Sequence, residues 1–401
     1  MKQDKGLIAQ AAAWKAVFAL AFGVAGLITS EFLPISVLSP MARDLQITQG
    51  IAGQAISITA IVAMLASILT PLVTRGIDRK WVLLTFCVLQ FLSNMLVALA
   101  TNFMVLTIGR LLLGAAIGGF WTMSAAIAMR LVPEKDVPKA LSVIFGAVSV
   151  ATVVAAPMGS YLGAMFGWRI VFGIAGGLGI LAFVSQAVTL PSLPAEKPAA
   201  LGKVVGILKR PGVKMGFVAT LWVFAGYSTF FTYLRPFLEK ISGIDVNILS
   251  LILLVFGVAN LIGTTLARHL LERNLSRSLS GFPIIMGLMV AGLLTVPGSP
   301  LLAAGLIGMW GLAFGVIQVG WPTWLTRTIA DEAEIAGGIQ VAVIQLAITT
   351  GAGIGGWVVD RTGVSGVYSL SSVITVIAGF ITIMAFRKRP RLSKVKSWTN
   401  R

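Results

Sequence analysis

Histidine and cysteine are nearly absent: the chain has one of each, His269 and Cys87. A lone thiol inside an apolar run excludes a disulfide framework and a cysteine metal site, and reads as a small core residue. His269 stands in the basic stretch RHLLER, where a solvated loop position is the ordinary reading. No zinc site and no histidine-assisted nucleophile can be assembled, so an enzyme is the least attractive class. Charge is scarce too, at 11% of 401 residues against 57% hydrophobic, and the mean hydropathy is +0.93. A soluble chain of this length needs far more charge on its surface, whereas a bilayer-embedded one needs it only in loops.

What is present is a series of apolar runs. A bilayer core takes roughly 20 apolar residues per helix, and twelve such runs lie near 14–38, 50–74, 80–100, 103–130, 139–163, 169–190, 214–236, 246–268, 278–297, 301–326, 335–358 and 364–386. The first is too long for a cleaved signal peptide and eleven like it follow. Most of the 31 Lys and Arg fall at the N-terminus, in alternate loops and in the tail RKRPRLSKVK; Arg43, Arg169, Arg235, Lys240 and Arg361 fall on the other side. The positive-inside rule then predicts two cytoplasmic termini. The net charge of +17 accordingly marks a face attracted to anionic lipid rather than to nucleic acid.

A loop rich in Pro, Ala and Lys, 191–213, separates an N-terminal bundle (1–190) from a C-terminal one (214–386), and a basic tail occupies 387–401. The halves echo each other. Gly114 and Gly311, Gly118 and Gly315, and Arg130 and Arg327 are each 197 positions apart, and Pro40 and Pro236 are 196 apart. That is the internal repeat of a duplicated transporter. GAGIGG, with Gly351 and Gly355 four apart, is a surface for close helix packing. It is not a phosphate loop, since no strand and no GKS or GKT accompany it.

Several motifs resemble the major facilitator superfamily along essentially the whole chain. IGRLLLGAAIG resembles its RxxxG pattern, with Arg110 as the buried arginine and Gly114 as the close-packing glycine. GAVSVATVVAAPMGS resembles its antiporter motif, with Ala156 in place of a glycine before Pro157 and Gly159, and GWRIVF is similar to the start of helix six in drug:proton antiporters. The loop PLVTRGIDRK keeps the family's Arg79 and Lys80 but has Pro71 for a glycine and Arg75 for an aspartate. The stretches EFLPISVLSPMARDL, GGFWTMSAAIAMRLVP, KALSVIFGAVS, FFTYLRP and GGIQVAVIQLA are similar to nucleoside-exporting members of that branch.

The resemblance implies an all-α fold of two pseudo-symmetric six-helix bundles in a bacterial inner membrane. It implies a monomer that exports a small solute in exchange for protons by alternating access, with no cofactor beyond the proton gradient. Purine nucleosides such as inosine are the expected cargo. Export of drugs or sugars is one alternative and a non-transporting receptor or scaffold is another.

Candidate site residues follow from cost. Glu31 is a carboxylate within an apolar run, and burial at membrane depth costs about 2.5 to 3.5 kcal/mol on insertion scales. It is a structural residue or a proton carrier. Counted at 1.5 Å per residue from Pro40 and Asn102, Glu31 and Arg110 both sit roughly 12 to 13 Å below the outer surface. They are therefore candidates for one proton-coupling centre. Tyr227 and Phe231 lie one turn apart and share a face suited to stacking on a flat base. Gln318, Gln340 and Gln345 offer amide donors and acceptors to a neutral planar solute, or hydrogen-bond between helices. Asn260, Trp121 and Ser124 are second-rank candidates.

Overall fold

A computed structural model describes residues 2–74, 76–133, 136–194, 206–210, 212–240, 243–296, 298–329 and 333–387. Arg75, positions 195–205 of the central linker and the basic tail from 388 lie outside the described residues. The rest is mostly helical: α1 (Lys2–Ser36), α2 (Leu38–Asp44), α3 (Gln49–Val73), α4 (Arg79–Ala98), α5 (Phe103–Leu131), α6 (Val137–Phe166), α7 (Trp168–Thr189), α8 (Val213–Thr232), α9 (Leu234–Lys240), α10 (Val246–Thr295), α11 (Pro300–Thr328) and α12 (Ala333–Arg387). The few polar residues between apolar runs start these helices. Thr48, Asp78, Asn102 and Asp245 each accept a backbone N–H of the first turn of α3, α4, α5 and α10, the usual work of an N-cap side chain.

Among the described residues ten helices are long and apolar enough to cross a membrane. Two of them are double. α10 has 50 residues and bends where Asn274 leaves helical dihedrals; α12 has 55 and bends at Gly363, whose φ of 76° is open to glycine at little cost. Fifty residues would run to about 75 Å as one rod, so each is two spans, which gives twelve. His269 is a correction: it stands exposed on the first arm of α10, not in a loop, because the helix continues through the basic stretch as far as Asn274. Large apolar side chains such as Leu65, Leu69, Leu181 and Phe380 are exposed around the bundle. In a bilayer they face lipid.

The repeat is visible in the helix packing. A Cβ on Gly114 or Gly118 would run into the backbone of α3 at Thr59 and Ala63; on Gly311 or Gly315 it would run into α10 at the carbonyls of Phe256 and Asn260. Phe256 and Asn260 lie 197 positions after Thr59 and Ala63 (256 − 59 and 260 − 63), the same offset as the glycines. The short helices match as well: α2 and α9, both seven residues, start at Leu38 and Leu234, 196 apart.

The halves meet where α3 packs along α12 and α6 along α10. They are sealed at the end that carries Asp360. There the Asp360 carboxylate accepts from Thr48 Oγ1 (2.7 Å) and from the Gly50 N–H (3.1 Å) at the start of α3, where a negative charge meets the positive end of a helix dipole. Gln54 Nε2 donates to the Gly353 carbonyl and Thr349 Oγ1 to the Ser57 carbonyl. Toward the opposite end, Gly146 on α6 and Gly337 and Gly338 on α12 meet nothing within 4 Å.

At the sealed end Arg169 pairs with Asp44 and donates to the Ala100 carbonyl, and Trp168 Nε1 also donates to Asp44. The hydrogen bond from Arg169 holds the Asp44 carboxyl below the usual carboxylate range. Its contribution is therefore present at neutral pH and lost as pH falls through that lowered pKa. Both partners are well exposed, so the tie is worth at most about 1 kcal/mol. Asp44→Asn should lower thermal stability slightly at pH 7 and leave it equal to wild type at strongly acidic pH, as read by melting curves across pH.

Gly118→Val should cost about 1 to 3 kcal/mol or more, by forcing α5 off α3. Gly146→Val should leave helix packing intact. Monodisperse yield and melting temperature in detergent report both.

Candidate functional site

The local chemistry where α1 passes into α2 begins with two prolines, Pro34 inside α1 and Pro40 in α2. Proline has no N–H and leaves the carbonyl four residues earlier without its helical partner. Pro34 thus frees the Ser30 carbonyl, and Pro40 frees that of Ser36. Each is taken by an arginine. Arg110, 1% exposed on α5, donates from Nη1 to the Ser30 carbonyl (3.0 Å) and from Nε to Thr59 Oγ1 (2.8 Å). Arg235, on α9 in the other half, donates to the Ser36 carbonyl and pairs with Glu239 at 2.7 Å. Ser160 Oγ stands 3.5 Å from the same Arg235 nitrogen.

Glu31 follows Ser30 directly, so it lies at the level of Arg110. Among the described residues no ion pair joins the two, and Arg110 Nη2 is buried with no hydrogen bond. Glu31 instead lines a cavity of about 30 Å³ with Phe32, Ile56, Tyr227, Phe231 and Ile348. That is room for about one water. Glu31 and Tyr227 stand 196 positions apart, the offset of α2 and α9, and face one cavity from opposite halves.

Tyr227 and Phe231 are stacked on each other (5.6 Å between centroids). They belong to a larger aromatic wall that sequence reasoning missed. Phe314 stacks on Tyr227 at 4.0 Å, Trp310 stacks on both, Phe256 packs on Phe231 and Trp310, and Phe32 meets Phe231 edge-on across the halves. The signal was available: Trp310, Phe314 and Gln318 recur every four residues and so share one face of α11. Tyr233, in contrast, is fully buried between Gly53 and Gly355, with its hydroxyl on the Ala352 carbonyl (2.8 Å).

Of the amides, Gln318 and Asn260 are together. Gln318 Nε2 donates to Asn260 Oδ1 (3.3 Å), and Asn260 Nδ2 to the Gly311 carbonyl (3.2 Å). Gln340 and Gln345 on α12 are each 5% exposed, and their Nε2 and Oε1 respectively have no partner. Trp121 stacks on Phe145 of α6 (5.8 Å). It lies eleven residues beyond Arg110 on α5, roughly 16 Å along the axis, and is not brought to Glu31. The side chain of Ser124 lies outside the described residues.

A family profile of the Major Facilitator Superfamily matches residues 18–339 and, in a second alignment, 216–400. The chain belongs to that superfamily. It is 46% identical over 377 residues to the purine ribonucleoside efflux pump NepI of Salmonella enteritidis PT4 and to that of Salmonella typhi, covering 94% of this chain and 95% of each relative. The protein of that name from Salmonella paratyphi A is 45% identical over the same share. Among solved structures, a bacterial homolog to the human lysosomal transporter Spinster, inward-facing and unoccupied, superposes with a TM-score of 0.75 over 94% of this chain and 97% of its own. At 15% identity this likeness shows the fold alone. The protein is a multi-pass membrane transporter of the superfamily.

The superfamily motifs take up positions where helices touch. Gly114 seats α5 on α3, and Gly159 admits Ser36 and Leu33 of α1 against α6. Pro157 lies inside α6 and deprives the Val153 carbonyl of its helical donor, where Gly257 of α10 packs. Arg79 donates to the carbonyl and hydroxyl of Thr74, and the Lys80 N–H is capped by Asp78. Asp78, which the motif resemblance does not single out, also accepts from Leu193 and Ser192 and so fastens this loop to the segment after α7.

Pro40→Ala restores an N–H that can reclaim the Ser36 carbonyl from Arg235. A hydrogen bond to a charged group is worth roughly 1.5 to 3 kcal/mol. The sealed end should therefore open about ten- to a hundredfold more often, measured by the distance distribution between spin labels at Gln46 and Lys240 in a Cys87→Ser background. An unchanged distribution refutes the role given to the freed carbonyl.

Proposed function

We propose that this transporter exports purine nucleosides such as inosine in exchange for protons, alternating between openings on the two sides of a bacterial inner membrane. The observation that carries the proposal is the shared cavity. A carboxylate at membrane depth, Glu31, opens on the same small space as the rings of Tyr227 and Phe231, beside an arginine that α1 holds only through a backbone carbonyl. The names of the Salmonella relatives support the cargo.

In this reading the chain divides as 1–190 and 214–386 around the linker 191–213, with the basic tail 387–401 and both termini in the cytoplasm. The Asp360 end is then the outer one, and the state described is closed outward. Protons reach Glu31 when that end opens and leave inward when it seals. A neutral Glu31 no longer balances Arg110, so protonation changes the force between α1 and α5 at the point where they are tied. The gradient supplies the drive, no cofactor is required, the transporter works as a monomer, and the basic face rests on anionic lipid.

Aromatic faces backed by amides fit a neutral planar solute better than a sugar, whose puckered ring offers C–H groups but no flat π-surface. A cationic drug would meet the uncancelled Arg110 whenever Glu31 is protonated. A receptor or scaffold would show no flux at all.

Purified protein in liposomes under an imposed pH gradient should move protons when inosine is added. Glu31→Gln, with insertion verified, should retain inosine counterflow and lose proton-driven accumulation at least tenfold. Full proton coupling in that variant would make Glu31 structural; absence of any inosine response in wild type would remove the cargo.

A further inference from the structure

We propose that Tyr227 and Phe314 are the two jaws of a base slot, closed on each other in this conformation. The idea rests on the nucleoside reading above and specifies how the cargo is held. The rings lie 4.0 Å apart at an interplanar angle of 5°, so each already presents to the other the flat face that a purine requires. A base is itself about one stacking distance thick. Inserted between the jaws, it exchanges their mutual stack for a ring–base stack on either side. Separation of the jaws is thereby offset, and little solvent enters.

The surroundings fit this use. Tyr227 lines the cavity of Glu31, which places the slot against the proposed proton site. Gln318 is one turn beyond Phe314 on the same face of α11, and its amide nitrogen is engaged by Asn260. Its Oε1 remains an acceptor for a base N–H. Trp310, stacked on both rings, has a buried Nε1–H without a partner, a donor within the aromatic wall for a ring nitrogen or carbonyl of the base.

One other ring pair among the described residues has the same geometry, Phe237 and Tyr368 at 3.8 Å and 7°. It is buried among α9 and α12, and neither ring lines the Glu31 cavity. It supplies an internal control for the removal of a stacked ring as such. Purines, with two fused rings, cover both jaws more fully than pyrimidines, so inosine should bind more tightly than uridine.

Equilibrium binding of radiolabelled inosine to the purified full-length protein tests the slot. Phe314→Leu should weaken binding about ten- to a hundredfold, the range for losing one base–aromatic stack. Phe314→Tyr and Phe237→Leu should stay within about threefold of wild type. Inosine bound normally by Phe314→Leu, or weakened alike by Phe314→Leu and Phe237→Leu, overturns the slot while leaving nucleoside transport standing. Failure of wild type to bind any nucleoside overturns both. A measurement on wild type alone guards against a variant that does not fold: in saturation-transfer NMR the inosine base protons should saturate more strongly than the ribose protons, and the reverse order refutes the slot.

Discussion

Two carbonyl groups on one stretch of chain organise this transporter. In a membrane every backbone polar group needs a protein partner, and Pro34 and Pro40 leave the Ser30 and Ser36 carbonyls without theirs. Arg110 answers one from within the same half, and Arg235 answers the other from across the interface. A guanidinium at depth and an orphaned carbonyl are each expensive alone. Paired, they fix α1 against α5 at one level and against α9 at another. Because the acceptors are carbonyls, neither arginine needs the Glu31 carboxylate as its partner. Glu31 thus stays free of an ion pair while its neighbour Ser30 is gripped.

The duplication explains why the cavity has the character it has. Close packing of α5 on α3 and of α11 on α10 uses glycines at matched positions, so the scaffold is common to both halves while the contents differ. At the position where one half carries Glu31 the other carries Tyr227, and Thr59, which holds Arg110, corresponds to Phe256 in the aromatic wall. One bundle places charge and hydroxyls at its central positions, and the other places rings there. A solute between them meets a titratable side and a stacking side, which is the separation of tasks that coupled transport of a neutral aromatic compound calls for.

Much of this was legible in the sequence, for physical reasons. Apolar runs, breaks and the lysine and arginine bias gave twelve spans, because the bilayer imposes length and polarity on each span separately. Two boundaries inside helices, at Asn274 and Gly363, are bends rather than loops, since hydropathy reads polarity and not dihedral angles. Depth counting put Glu31 and Arg110 at one level and left their pairing open; the arginine binds the carbonyl of Ser30, the residue before Glu31. Proline arithmetic would have found that acceptor. The wall of Trp310, Phe314 and Phe256 was missed because aromatics in apolar helices carry no distinctive signal until the facing helix is known. Trp121 has a suitable residue type, and the axial distance from Arg110 separates it from the site.

The location of the remaining acids sharpens the view of what the site can tolerate. Among the described residues Asp44, Asp78, Asp136, Glu239, Asp245, Glu272 and Asp360 stand at helix ends or beside the bends, where caps, ion pairs or water accommodate them. Glu31 instead stands within a membrane span, Trp14–Ser36. With Glu31 ionised, its charge and that of Arg110 cancel over the cavity; with Glu31 protonated, one positive charge remains. A neutral solute experiences little change between these two states, so its binding does not oppose the proton cycle. A cation would meet a balanced pair in one state and an uncompensated positive charge in the other, and a site holding a single acid has no second carboxylate with which to compensate. The charge inventory and the stacked rings therefore favour the same cargo from independent directions: planar, uncharged and able to give and accept hydrogen bonds at its edge.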